Sequence, residues 1–163
     1  MEDKMYKNFV FSNIIDYIRN WTWQELFVGV EESIITVKNV VEYAKYIIAE
    51  NVSDYEIVLS VIIAERDDEI MELVSSLTKG EKATGKQIIL DKWRYAILLD
   101  LYFKKEKYIN VYEQIALISG DFRNTEDMNS FIYYMRTNGI ASEANWVNYL
   151  IEQSKRFGVD ISL

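Results

Sequence analysis

Apolar and polar positions alternate with helical period over nearly the whole chain. Val10, Ile14, Tyr17 and Ile18 make one stripe and predict a helix from about Phe9 to Arg19. Thr22, with Glu25 three residues on, reads as a capping box, and Trp21 against Leu26 as its hydrophobic staple; Gly29 is placed to end that short helix. Val37, Val40, Val41, Ala44, Ile47 and Ile48 share one face, with Lys38, Glu42 and Lys45 opposite. A second start signal pairs Ser53 with Glu56 and Val52 with Ile57, opening a helix to about Ala64. Asp67 or Asp68 then caps a helix carrying Ile70, Leu73, Val74 and Leu77.

The longest apolar segment, Ile88 to Phe103, is interrupted only by Asp91, Lys92, Arg94 and Asp100. At about 100° per residue these four scatter around the helix instead of forming a polar face. A helix apolar on nearly all sides is surrounded by other helices, so residues from about 86 to 104 are predicted as a central helix. Its basic tail, Lys104-Lys105-Glu106-Lys107, suits a helix C-terminus. Further helices are predicted around Val111, Ile115 and Ile118 closing at Gly120, around Met128, Phe131, Ile132 and Met135 closing near Gly139, and from Ser142 through Trp146, Leu150 and Phe157. No segment alternates strictly enough for a strand. The expectation is all-α: eight or nine helices in a compact array, no sheet, and a single domain over residues 1–163.

Composition then removes whole classes of chemistry. The chain has no cysteine and no histidine, which excludes disulfides and thiolate chemistry and takes away the commonest general base and metal ligand. It has no proline to interrupt a helix, no secretory leader pattern at its start and no apolar run long enough to span a membrane. A cytoplasmic protein with no membrane association and no cofactor is expected.

Charge is uneven along the chain. Residues 1–77 carry 6 basic and 15 acidic side chains, residues 78–107 carry 8 and 4, and the remainder 4 and 7, which sum to the net charge of −8. An acidic chain repels nucleic-acid phosphates and attracts a basic partner.

Four features carry candidate chemistry. Gly80-Glu81-Lys82-Ala83-Thr84-Gly85-Lys86 matches the phosphate-loop spacing, but Gln87 stands where Ser or Thr must hold magnesium and the preceding segment has helical spacing, so a basic interhelical loop is expected. The densest acidic group includes Asp67, Asp68 and Glu72; without histidine or a second carboxylate pair it reads as a solvated helix N-terminus or an electrostatic landing site for a basic protein. Arg94, inside the apolar helix, needs a carboxylate, with Asp91 or Asp100 the candidates, and forms either a buried tie between helices or the base of a charged pocket. Tyrosine is abundant, and Tyr133 and Tyr134, like Tyr43 and Tyr46, suit a recognition surface as well as partial burial.

Three stretches stand out together: Trp23–Gly29 (WQELFVG), Lys92–Ala96 (KWRYA) and Glu113–Met135 (EQIALISGDFRNTEDMNSFIYYM). In them the chain resembles the bacterial domain-of-unknown-function family numbered twenty-two forty-seven, from about Trp21 to Met135. It departs from that family's pattern at Arg123-Asn124, where Tyr-Pro is expected, and at Arg136, where proline is expected. The resemblance implies a single helical domain and supplies no catalytic residue. The leading expectation is a non-catalytic interaction module, most concretely an immunity-type antidote that binds a basic toxin. The alternative is an enzyme or small-ligand-binding protein using the charges around Arg94, and a homo-oligomer with facing tyrosines is a third arrangement.

Overall fold

The computed structural model describes residues 9–50, 52–123, 126–128, 131 and 139–163. Among these residues the chain forms eight α-helices and two 3-10 turns, with no strand, so the protein is all-α. It divides into two compact units, Met1–Ile89 and Leu90–Leu163.

The first unit begins with α1 (Phe11–Ile14), a single turn where a longer helix was expected. Val10 at its N-cap offers no side-chain acceptor, and the chain continues as a turn in which Tyr17 and Ile18 both donate to the Ile14 carbonyl. The apolar stripe is nonetheless used: Ile14 and Ile18 are buried. The box expected for α2 (Trp23–Glu31) is present, with Glu25 N–H donating to Thr22 Oγ1 at 3.1 Å and Thr22 N–H to Glu25 Oε1 at 2.8 Å. Its staple residues Trp21 and Leu26 are both buried. Gly29 does not end α2. The helix runs two residues further and closes in a Schellman motif, Ile34 N–H to Gly29 O and Ser33 N–H to Val30 O, with Ser33 at φ 59° in the position that usually takes glycine.

α3 (Val37–Ile47) opens on a reciprocal box between Thr36 and Asn39, which sequence reading passed over because the third position is Asn and not Glu or Gln. Tyr43 on α3 is a core residue. Its hydroxyl donates towards the Trp21 carbonyl at 2.9 Å and that of Arg19 at 3.1 Å, and its ring meets Phe11 and Trp23 edge-on. α4 (Tyr55–Ile63) and α5 (Asp67–Thr78) start one residue away from the predicted caps. Asp54, left-handed at φ 58°, precedes α4 in place of the Ser53 box, and Arg66 precedes α5, so Asp67 and Asp68 lie inside its first turn. Neither start has a side-chain cap. α5 packs on α2 and α4, and α3 on α4.

α6 (Lys86–Phe103) has the predicted extent, and the division between the units falls within it. All ten residues from Lys92 to Leu101 are buried, polar ones included, as the absence of a polar face requires. The second unit continues with a 3-10 turn (Lys105–Lys107), α7 (Val111–Asp121), a second turn (Glu126–Met128) and α8 (Gly139–Arg156). α7 passes Gly120, and Arg123 at φ 66° takes the left-handed position after it. α8 begins at Gly139, three residues before the predicted Ser142, and Gly158 at φ 66° closes it in a second Schellman motif. The helix expected through Met128, Phe131, Ile132 and Met135 is described only at 126–128, where the chain forms the second 3-10 turn, and at Phe131, which is buried; the rest of it, residues 132–138 included, lies outside those described. Tyr95 ties α6 to α8: its hydroxyl lies 2.7 Å from Ser154 Oγ, and Phe157 stacks on its ring.

Candidate functional site

Asp91 and Arg94 are three residues apart on α6 and so share one side of it. Arg94 sits in the ten-residue buried run and is 2% exposed. A guanidinium in that position is tolerable only if its charge is met. Asp127, brought by the 3-10 turn that Met128 anchors in the core, meets it as a two-pronged pair: Arg94 Nη1 donates to Oδ1 at 3.0 Å and Nη2 to Oδ2 at 2.7 Å. Asp91 Oδ1 stands 3.6 Å from the same Nη2, and its Oδ2 accepts from Arg156, in the last turn of α8, at 3.0 Å. Asp127, Arg94, Asp91 and Arg156 thus form a chain of alternating sign in which two cations meet two anions.

Beneath the guanidinium lies the Tyr149 ring, 5.8 Å from Arg94 Cζ, with the Phe131 ring tilted against that of Tyr149 at 5.2 Å between centroids. Burial holds the Tyr149 phenol well above the ordinary tyrosine range. The positive charge of Arg94 opposes that rise, and the negative charge of Asp127 adds to it. With both terminal nitrogens of Arg94 turned to Asp127, the network resembles a tie between α6, the 126–128 turn and α8 more than a site offering its charge to a ligand.

The other predicted residues are placed apart from it. Asp100 is buried but pairs with Lys104 one turn along, at 2.6 Å. Six residues on from Arg94, it points roughly 120° away around the helix. Asp67, Asp68 and Glu72 are exposed on α5 in the first unit, where Asp68 lies 3.6 Å from Arg66. Tyr133 and Tyr134 lie outside the described residues. No group of three or more carboxylates that could hold a metal ion occurs among the described residues, and no helix there is long and apolar enough to cross a membrane. Sequence reading missed Asp127 and Arg156 as partners. Asp127 had left a signal, because it belongs to the Asp-Phe…Glu-Asp-Met stretch that, with Lys92–Ala96, carried the family resemblance.

The glycine-flanked loop between α5 and α6 has a different role from phosphate binding. Glu81 turns its carboxylate onto the N-terminus of α2, accepting from Trp23 N–H and Gln24 N–H at 2.9 Å each. Gln24 clamps the rest of the loop, donating to the Lys82 carbonyl at 2.7 Å and accepting from Thr84 N–H at 2.9 Å. The loop therefore supplies an anion to a helix start instead of cradling one. A shallow hollow of about 200 Å³ beside it is lined by Gln24, Phe27, Val28, Thr78 and Lys86, and the Lys86 ammonium is engaged by Glu32 at 2.7 Å.

The family model for DUF2247, uncharacterized proteins conserved in bacteria, matches residues 11–157. The chain belongs to this family. No curated protein and no solved structure matches it. The match spans both partners of the Arg94–Asp127 pair and the clamped loop.

Proposed function

We propose that the protein is a non-catalytic, cytoplasmic interaction module whose partner is a basic protein, in its most concrete form an antidote that binds and blocks a basic toxin. The observation that supports this reading is the set of carboxylates left in water on the first unit. Residues 54–72 carry seven acidic side chains against one basic, and all seven are exposed. A helix N-terminus stabilises the first-turn members, Asp67, Asp68 and Glu69, but does not require so many. Exposed charge of one sign raises the rate at which an oppositely charged partner is met, and makes that rate sensitive to salt. The ligand-binding alternative depended on Arg94 offering its charge, and Asp127 holds both terminal nitrogens.

The test is co-expression with the product of the neighbouring gene, followed by size-exclusion chromatography at low and high salt. A one-to-one complex that weakens as salt rises supports the reading. If neither that product nor any basic protein of the native host forms a complex at low salt, the reading is wrong.

A further inference from the structure

The sequence of α4, YEIVLSVII, is apolar on both sides, with only Glu56 and Ser60 as polar positions. One side, Val58 and Val61, is buried in the first unit. The other is open: Tyr55 is 52% exposed, Leu59 39% and Ile63 70%. These three are four residues apart and follow one another along a single side of the helix. Apolar side chains scattered singly over a surface need no explanation, but three in register on a helix whose opposite side is already packed make a continuous stripe.

We infer that this α4 stripe is a docking surface for a basic amphipathic segment of another protein, whose apolar side covers Tyr55, Leu59 and Ile63 and whose cations meet the carboxylates at its ends. Charge selects that occupant. Asp54 and Glu56 stand at the start of the stripe, and Glu65, Asp67 and Asp68 follow within five residues of Ile63; all are exposed. A helix-in-groove or helix-on-helix partner buries an i, i+4, i+8 stripe of this kind, and lysine or arginine beside its own apolar row would lie against those acids. A second copy of the chain would instead bring two acidic borders together, which like-charge repulsion disfavours. The inference locates the interaction proposed above and rests on that reading.

The experiment titrates isotope-labelled full-length protein with a synthetic helical peptide of leucine and lysine at amphipathic spacing, alongside a scrambled peptide of the same composition. The expected result is amide shift changes confined to α4 and the first turn of α5, with the scrambled peptide weaker. A Leu59→Ser/Ile63→Ser variant should bind at least about tenfold more weakly, because it removes most of the apolar area offered, while its unfolding midpoint changes little. Glu65→Gln/Asp67→Asn should weaken binding and flatten its salt dependence. Equal binding of the two peptides, or undiminished binding by the serine variant, overturns the inference. Shifts mapping elsewhere overturn this surface but leave the interaction reading standing, whereas no binding of any cationic probe at low salt sinks both. Sedimentation as a dimer that the serine variant abolishes would give the stripe to a second copy and overturn the inference as well.

Discussion

The Arg94–Asp127 pair shows what one charge costs inside an apolar helix. Asp127 is 40% exposed, so the pair is half-screened on one side while Arg94 has no access to water. Removing the carboxylate takes away the two-pronged pair and leaves Asp91, 3.6 Å from Nη2, as a weaker counter-charge, so Asp127→Asn should destabilise the fold by about 2 kcal/mol, below the 3–5 typical of a fully buried pair. Arg94→Met keeps the volume and removes the need for a partner; the double variant should be more stable than the sum of the single losses implies. Urea denaturation of the four proteins measures that coupling, and strict additivity would rule out the role given to the pair. The partial legibility of this site follows from distance. Asp91 was visible because it lies on the same helix turn, whereas Asp127 is 33 residues away and no local pattern says where a distant turn will land. Ser33 offers a second test at this scale. Its left-handed backbone suits glycine, and Ser33→Gly should raise stability by about 0.5–1 kcal/mol, the relief of the side chain outweighing the added freedom of the unfolded chain. An unchanged or lowered urea midpoint would contradict this.

Among the elements, boundaries marked by the usual capping residues were readable, and those set by an unusual cap such as Thr36–Asn39 or by backbone conformation were not. The Thr22–Glu25 box specifies α2 by donors and acceptors and is present as expected, and the staple residues Trp21 and Leu26 are both buried. The extent of α6 followed from apolar density alone. Three of the misplaced boundaries share another cause: Asp54, Ser33 and Arg123 adopt left-handed backbone that their residue types do not advertise, so α4 began, and α2 and α7 ended, away from the nearest plausible cap or glycine. The loop from Gly80 to Gly85 was readable as a connection, but not as a clamp, because Glu81 serves a helix start 58 residues earlier. That service has a measurable size. Glu81→Ala should cost about 1–2 kcal/mol, since two backbone donors at the positive end of α2 lose a charged acceptor. Glu81→Gln should recover part of the loss, and Lys82→Ala, whose backbone carbonyl is the bonded atom, should leave stability nearly unchanged. If Lys82→Ala costs as much as Glu81→Ala, the loop acts through its side-chain charges and the clamp is misassigned.

For the whole molecule, the absence of histidine and cysteine shapes the response to pH. No side-chain type in the chain has an ordinary pKa between about 5 and 9, so stability should be nearly flat across that range. The alkaline side is different. Tyr43, Tyr95 and Tyr149 are all held above the ordinary tyrosine value, first of all by burial. For Tyr43 the charge of Glu25 adds to the rise and the hydrogen bond to Trp21 opposes it; for Tyr95 the hydrogen bond with Ser154 opposes it. A phenol whose folded pKa exceeds its unfolded one leaves stability intact below the unfolded value, near 10, and removes it as pH rises from there towards the folded value. The slope reaches about 1.4 kcal/mol per pH unit and group only once the unfolded phenol is ionised, so Tyr43 and Tyr149 together withdraw about 2 kcal/mol over the first unit above the unfolded value, with Tyr95 adding to it, a sizeable share of the 5–15 kcal/mol that holds a typical domain. Tyrosinate absorbance followed together with circular dichroism should therefore show two phases. Exposed members of the twelve tyrosines titrate first with the fold intact, and at least three then ionise only in step with cooperative loss of helix. Tyr149→Phe keeps the ring against Phe131 and Arg94 and deletes the ionisable hydroxyl, so it should move the alkaline unfolding midpoint upward. A single-phase titration of all twelve with helix content unchanged would show that these phenols reach water without unfolding, and would contradict the core assigned to them.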